Sequence, residues 1–247
     1  MVEKTFGQNH RRNLGSDKPV LSAQLGFLTF NEINGENLAN VAAEIEAVGG
    51  EALAIETDVS SPEPIHNMVA KTLEAYGRID VLINNAALFA VLPRRHFTGI
   101  PLDEWNKVLN VNVTGSYLCA TAVVPAMREA GQGKIINISS GTVPQGVPGL
   151  MHYVTSKAAV VGMTRVMARE LGDDNITVNA VMPGYTETEV DHASANGELQ
   201  QFVQDKRILK RVETPDDLIG LVMFLASPAS SFITGQSIAC CGGEVML

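Results

Sequence analysis

The chain has 247 residues, 45% of them hydrophobic, enough for one full core and hence one expected domain over residues 1–247. Lys and Arg number 18 against 27 Asp and Glu, giving a formal net charge of −9 with no opposing basic run, so nucleic acid and membrane surfaces are excluded as expected partners. Cys119, Cys240 and Cys241 show no disulfide or metal-ligand spacing and read as core thiols; no signal-like apolar run or stretch of about 18 apolar residues occurs, so a cytoplasmic, metal-free protein is expected.

Residues 1–34 are the least regular part of the chain. From Gly35 to Gly50, Leu38, Val41, Ala42 and Ile45 fall at helical spacing and a glycine pair stops the run. ALAIETDVS then predicts a strand ending near Asp58, and Ser61-Pro62 opens a second helix. The apolar run IDVLINNAA over 79–87 predicts a strand covered on both faces. A long helix from Asp103 to about Ala130, a strand over 134–140, a helix over 151–171 and a strand over 176–184 come next. Residues 185–212 are polar and weakly periodic and are expected to form a mobile lid. Thr214-Pro215-Asp216-Asp217 starts a last helix, with Thr214 as its cap, and QSIACC a last strand. Strand and helix alternate without repeats or linkers, which predicts an α/β fold: a doubly wound parallel sheet with helices on both faces.

Ligands in such a sheet sit beyond the carboxyl ends of the strands, where Asp58, Asn84-Asn85, Ser139-Ser140 and Pro183-Gly184 fall. Tyr153 and Lys157 lie four apart on a helix and so share a face. A nearby ammonium favours a phenolate, so Lys157 is expected to lower a tyrosine pKa that is about 10 in isolation. The pair reads as an acid/base centre.

Residues 35–247 resemble the classical short-chain dehydrogenase/reductase family. The resemblance rests on Asp58-Val59, Asn84-Asn85-Ala86, VNVTG with Asn112, ISS with Ser140, YVTSK with Tyr153 and Lys157, PGYTET from Pro183 to Thr188, and ITGQS from Ile233, in order and spacing. It implies a Rossmann-type fold and an oxidoreductase that interconverts a secondary alcohol and a ketone. By resemblance, Tyr153 is the general acid/base, Lys157 lowers its pKa and holds the nicotinamide ribose, Ser140 donates to the substrate oxygen, and Asn112 interrupts its helix and holds a water. Asp58 and Val59 would contact adenine, Asn85 and Ala86 the adenosine ribose, and Pro183, Gly184, Thr186 and Thr188 the nicotinamide carboxamide. Glu32 falls where a carboxylate accepts from a ribose 2′-hydroxyl and repels a 2′-phosphate, which favours NAD over NADP. A homotetramer is also implied, pairing helices such as 103–130 and 151–172.

Two other readings stay open: an NADP-dependent carbonyl or acyl-carrier-protein reductase, and a catalytically silent binding or scaffold protein. The second is motivated by the missing glycine-rich TGxxxGxG turn, expected between residues 8 and 25, where the chain reads NHRRNLGSDKPVLSAQLGF. Codons allowed for Asn9–Ser16, read one base later, permit Ile-Thr-Gly-Ala-Thr-Ser-Gly, and a second slip over Gly15–Pro19 permits Ile-Gly-Gln-Ala; a frame-shifted stretch is the reading adopted. Ala87 and Cys241 also depart from the family, which favours Gly and Asp there. Leu88, Val91, Leu92, His96, Val147, Leu150, His152 and Tyr185 could line a partly apolar pocket, although His152 is expected to turn away from the Tyr153 face.

Overall fold

In the computed structural model, residues 27–32, 35–47, 49–188 and 197–247 are described. Two parallel ladders organise them. In the first, β1 (Phe27–Glu32) pairs with β2 (Glu51–Glu56) in a register that ends on Glu32 opposite Glu56. In the second, β3 (Val81–Asn84), β4 (Gly133–Ile138), β5 (Ile176–Pro183) and β6 (Ser237–Cys240) lie side by side in that order. Each crossover carries helix: α1 (Gly35–Ala47) joins β1 to β2, and α2 (Pro62–Tyr76) joins β2 to β3. Pro62 at the first turn of α2 and Gly77 in the left-handed conformation after it are the start and stop that the sequence spelled.

Between β3 and β4 the expected single helix forms as three pieces, α3 (Leu102–Leu109), a π turn over Asn110–Thr114, and α4 (Gly115–Glu129). The extra residue of a π turn rotates the face of α3 relative to that of α4, and it sits on Asn112. Taken as one helix, Leu102–Glu129 is long and apolar enough to cross a membrane, but Ala120, Val123 and Met127 are spent on the core. A short α5 (Thr142–Gln145) precedes α6 (Met151–Glu170); α7 (Gly197–Lys206) and α8 (Asp216–Ala226) come after β5.

Alternation along the strands decides which layer each side chain joins. Ile135 and Val178 pack with Ala120, Val123 and Met127 of α4 and Ala168 of α6 on one face. Ile136 and Val181 pack with Val222 and Leu225 of α8 on the other. The sheet is thus covered on both sides, which fixes its polar strand ends at a shared edge.

Several boundaries differ from the sequence expectation, among them β2, which ends at Glu56, and β4, which ends at Ile138. The strand over 79–87 ends at Asn84, and the last strand is four residues, Ser237–Cys240. Residue 215 rather than 214 caps α8, and Asp217 reaches back to accept from the Thr214 N–H at 2.9 Å and its hydroxyl at 3.3 Å. Of the segment 185–212, residues 189–196 lie outside the described residues; at its two ends Thr186 bridges Glu213, and Val203 and Arg207 are buried.

Candidate active site

The N-terminal half of α6 delivers Tyr153 and Lys157, and both are buried, at 7% and 3% exposure. Lys157 Nζ donates to Ile138 O at 2.7 Å and lies 5.8 Å from the Tyr153 ring centroid. Burial pushes the Tyr153 phenol up to about 12, opposed by its hydrogen bond with Ser140, and burial pulls the Lys157 ammonium down to about 8. This corrects the expectation that Lys157 lowers the tyrosine here. Both groups do share a face, but the ammonium turns to a strand carbonyl, and burial dominates the phenol.

Ser140 ends the turn after β4 and accepts from the Thr142 N–H at 3.2 Å. Asn112 is 1% exposed: its Oδ1 accepts from Leu88 N at 2.7 Å, and its Nδ2 donates to Ser156 Oγ at 3.0 Å. Ser156 in turn donates to Tyr153 O at 2.7 Å. The π turn is therefore tied both to the loop after β3 and to the turn of α6 that carries Tyr153.

A cavity of about 720 Å³ opens above these groups, within the range of small-molecule sites. Ser140, Tyr153 and Lys157 line it, with Asn85 on one side. Pro183, Gly184, Thr186 and Thr188 form an adjoining wall, where Gly141 N donates to Pro183 O at 2.8 Å. Phe89, Val147, Leu150 and Tyr185 add apolar and aromatic surface, and Phe89 stacks on Tyr153 with centroids 4.5 Å apart. The remaining predicted positions do not line this cavity. Asp58 Oδ1 accepts from the Ser60 N–H and hydroxyl at 2.9 and 2.7 Å, and Val59 packs where a Gly115 Cβ would be 3.0 Å away. Ala86 falls between two lining residues, Asn85 and Ala87, Asn112 reaches Leu88 and Ser156 instead, and Glu32 is placed only by its backbone at the end of β1. The glycine-rich turn expected between residues 8 and 25 lies outside the described residues.

Of the pocket residues expected from sequence, Leu92 is core beside Tyr153, and Val91 and His96 are exposed. His152 is fully buried, its Nε2 3.2 Å from Glu104 Oε1 without a well-aligned hydrogen bond. It points to α3 and away from the cavity lining.

Sequence reading missed the group behind the 183–188 wall. Glu213 Oε1 accepts from Thr186 Oγ at 2.7 Å and from Gly184 N at 3.1 Å, and Oε2 accepts from Arg207 Nη2 at 3.2 Å. Arg207 also donates to Tyr185 O at 2.6 Å and stands 3.8 Å from Glu244 Oε2. Burial raises the Glu213 pKa, opposed by Thr186, Arg207 and Gly184. No sequence signal marked these residues, since 184 and 213 meet only through the tertiary fold.

The residues present fit a carboxamide-bearing, ribose-bearing ligand. Gly184 leaves no space for a side chain, because a Cβ there would come 2.6 Å from Glu213 Oε2. Thr186 and Thr188 line the cavity on this wall, and Lys157 and Tyr153 line it as well.

Comparison with known proteins places this architecture. Residues 22–244 match the family described as enoyl-(acyl carrier protein) reductase. A 3-oxoacyl-[acyl-carrier-protein] reductase of Synechocystis is 38% identical over 83% of this chain and 81% of its own. A (2S)-[(R)-hydroxy(phenyl)methyl]succinyl-CoA dehydrogenase subunit of Thauera aromatica is 36% identical over 94% of this chain and 92% of its own. A crystal structure of a candidate short-chain alcohol dehydrogenase from Sinorhizobium meliloti superposes with a TM-score of 0.82, 31% identity, and coverage of 90% and 88% of the two chains.

Proposed function

We propose that this chain, which belongs to the classical short-chain dehydrogenase/reductase family, is an NAD(H)-dependent oxidoreductase that interconverts 3-hydroxyacyl and 3-oxoacyl thioesters. The observation that carries the chemistry is the convergence of Ser140, Tyr153 and Lys157 on one cavity that the 183–188 wall also lines. The secondary alcohol and ketone couple is narrowed to acyl thioesters because the Synechocystis and Thauera relatives are named for acyl groups held on acyl carrier protein and coenzyme A.

A nicotinamide cofactor supplies hydride donation and acceptance when bound. Lys157 and the 183–188 wall would hold its nicotinamide end, and Asp58, Val59, Asn85 and Ala86 its adenosine end. Tyr153 donates its proton to the ketone oxygen, or takes it back from the alcohol. Ser140 donates to the same oxygen and stabilises the charge that develops there. The apolar surface of Phe89, Val147 and Leu150 accommodates the acyl chain and keeps water from the phenol.

Preference for NAD is read from Glu32, which ends β1 in register with Glu56 of β2. An acidic residue at the end of β1 disfavours a 2′-phosphate. A homotetramer is proposed from the apolar residues left outside on the two long helices, Leu102 at 73%, Tyr117 at 51% and Val166 at 55% exposure.

Turnover of acetoacetyl-CoA and of a 3-oxoacyl carrier protein, with NADH and NADPH side by side, tests the proposal. Consumption of NADH in preference to NADPH is the expected result. Preference for NADPH would overturn the Glu32 reading alone, and no turnover with either cofactor would overturn the substrate class.

A further inference from the structure

We infer that Glu213 is a positioning residue that sets the hydrogen-bond polarity of Thr186, making its hydroxyl an acceptor toward the cavity and so selecting a cofactor whose carboxamide presents an N–H. The inference rests on the proposed function in one respect, that the nicotinamide end lies against the 183–188 wall.

Three groups bond the Glu213 carboxyl, the Gly184 N–H, the Arg207 guanidinium and the Thr186 hydroxyl, and of these only the hydroxyl could also accept. Gly184 N–H and the Arg207 guanidinium can only donate, and they reach Oε1 and Oε2 at 3.1 and 3.2 Å. Burial and the Asp217 charge raise the Glu213 pKa, but a protonated carboxyl could place its O–H only toward Thr186 Oγ and would leave the buried Arg207 guanidinium facing a neutral group, so the pair with Arg207 holds the carboxylate. Arg207 is 2% exposed and carries its charge permanently, which favours the same form.

A carboxylate accepts only, so the 2.7 Å contact with Thr186 Oγ uses the single hydroxyl proton. The other acceptor within reach, Gly184 O at 3.4 Å, is longer and neutral, and a charge-assisted bond is the stronger of the two. Two lone pairs of Thr186 Oγ then remain, on a residue that lines the cavity. A primary carboxamide offers an N–H to such an acceptor, whereas a methyl ketone of the same shape offers none. Main-chain support holds the hydroxyl in place: Thr186 bridges Glu213, and Glu187 N donates to Glu213 O at 2.9 Å.

The test compares dissociation constants for NAD+ and 3-acetylpyridine adenine dinucleotide, which replaces the carboxamide NH2 with CH3, by competition with NADH fluorescence. The wild-type chain is expected to favour NAD+ by about tenfold, the value of one good hydrogen bond. Glu213→Ala frees the Thr186 proton, and Thr186→Val removes the hydroxyl; each is expected to bring the two ligands to within about twofold, while Thr186→Ser retains the preference. Glu213→Gln, which keeps volume but offers one acceptor oxygen to three donors, carries the same expectation should Glu213→Ala not fold. A merely structural role would weaken both ligands together and leave their ratio alone. Equal binding of the two by the wild type, or a preference that survives Glu213→Gln and Thr186→Val, would overturn the inference while leaving the proposed function standing. Failure of the wild type to bind NADH at all would overturn both.

Discussion

Lys157 and Tyr153 share one face of α6, yet Lys157 Nζ is hydrogen-bonded to Ile138 O and lies 5.8 Å from the Tyr153 ring centroid. Helix geometry brings the two residues together, and the strand carbonyl decides where the ammonium goes. The phenol is therefore a protonated group in a dry pocket, suited to giving a proton to a ketone oxygen.

Tyr153→Phe removes that proton and nothing else of comparable size. The expected outcome is a fall in kcat of about 10²- to 10⁴-fold with the NADH dissociation constant changed by less than about threefold. Steady-state kinetics beside fluorescence titration separates the two effects.

The pH dependence is set by the directions of the two shifts. Tyr153, pushed up to about 12 by burial, keeps its proton through the neutral range. Lys157, pulled down to about 8 by burial, loses its charge as pH rises through that value. Ketone reduction is expected to be flat below this pH and to fall above it, and Lys157→Met is expected to abolish that limb. Alcohol oxidation, which needs a proton acceptor, is expected to rise with pH. Initial rates in both directions across this range check the signs.

Asn112→Ala leaves Leu88 N and Ser156 Oγ without their partner in a site that is 1% exposed. A buried group stripped of its hydrogen bond costs about 1–3 kcal/mol, and each kcal/mol lowers Tm by roughly 2–4 °C in a domain of this size. Calorimetry should show that loss, and kcat should fall with it because Ser156 loses one of the bonds that orient the Tyr153 turn.

Gly184→Ala places a methyl 2.6 Å from Glu213 Oε2 and 3.0 Å from Arg207 Nη2, neither of which can retreat without breaking the buried pair. The expected outcome is a loss of about 1–3 kcal/mol in stability, the usual penalty of overpacking, together with weaker NADH binding. Unchanged binding in a folded variant would show that the 183–188 wall is not the nicotinamide site.

Residues 9–19 lack the glycine turn whose N–H groups cradle a pyrophosphate at a helix N-terminus. The family match begins at residue 22, after this stretch. Replacing residues 9–19 with a TGxxxGxG turn is expected to tighten NADH binding by at least tenfold, read by fluorescence titration, since phosphate contacts of this kind are charge-assisted.

Much of this architecture was legible in the residues. The strands that bring Asn84, Ser139-Ser140 and Pro183-Gly184 to one edge, and the shared face of Tyr153 and Lys157, were legible in periodicity and spacing, although the exact strand ends were not. The break at Asn112 is not visible in helical periodicity, because an extra residue in a turn costs the pattern only one step; resemblance supplied it. The Arg207 and Glu213 pair was illegible for another reason. Both fall in a polar stretch without period, and their partners Gly184, Tyr185 and Thr186 lie about twenty to thirty residues earlier. Nor could sequence foresee that the Lys157 ammonium would turn to a backbone oxygen, since that depends on the distance between α6 and β4.

Hydride transfer to the acyl β-carbon is most directly measured with NADH carrying deuterium at both positions of nicotinamide C4 and acetoacetyl-CoA, analysing the product by mass spectrometry. The account predicts 3-hydroxybutyryl-CoA carrying one deuterium at C3 with the wild-type chain, and none with Tyr153→Phe over the same interval. Product without deuterium, or undiminished product from Tyr153→Phe, would contradict it.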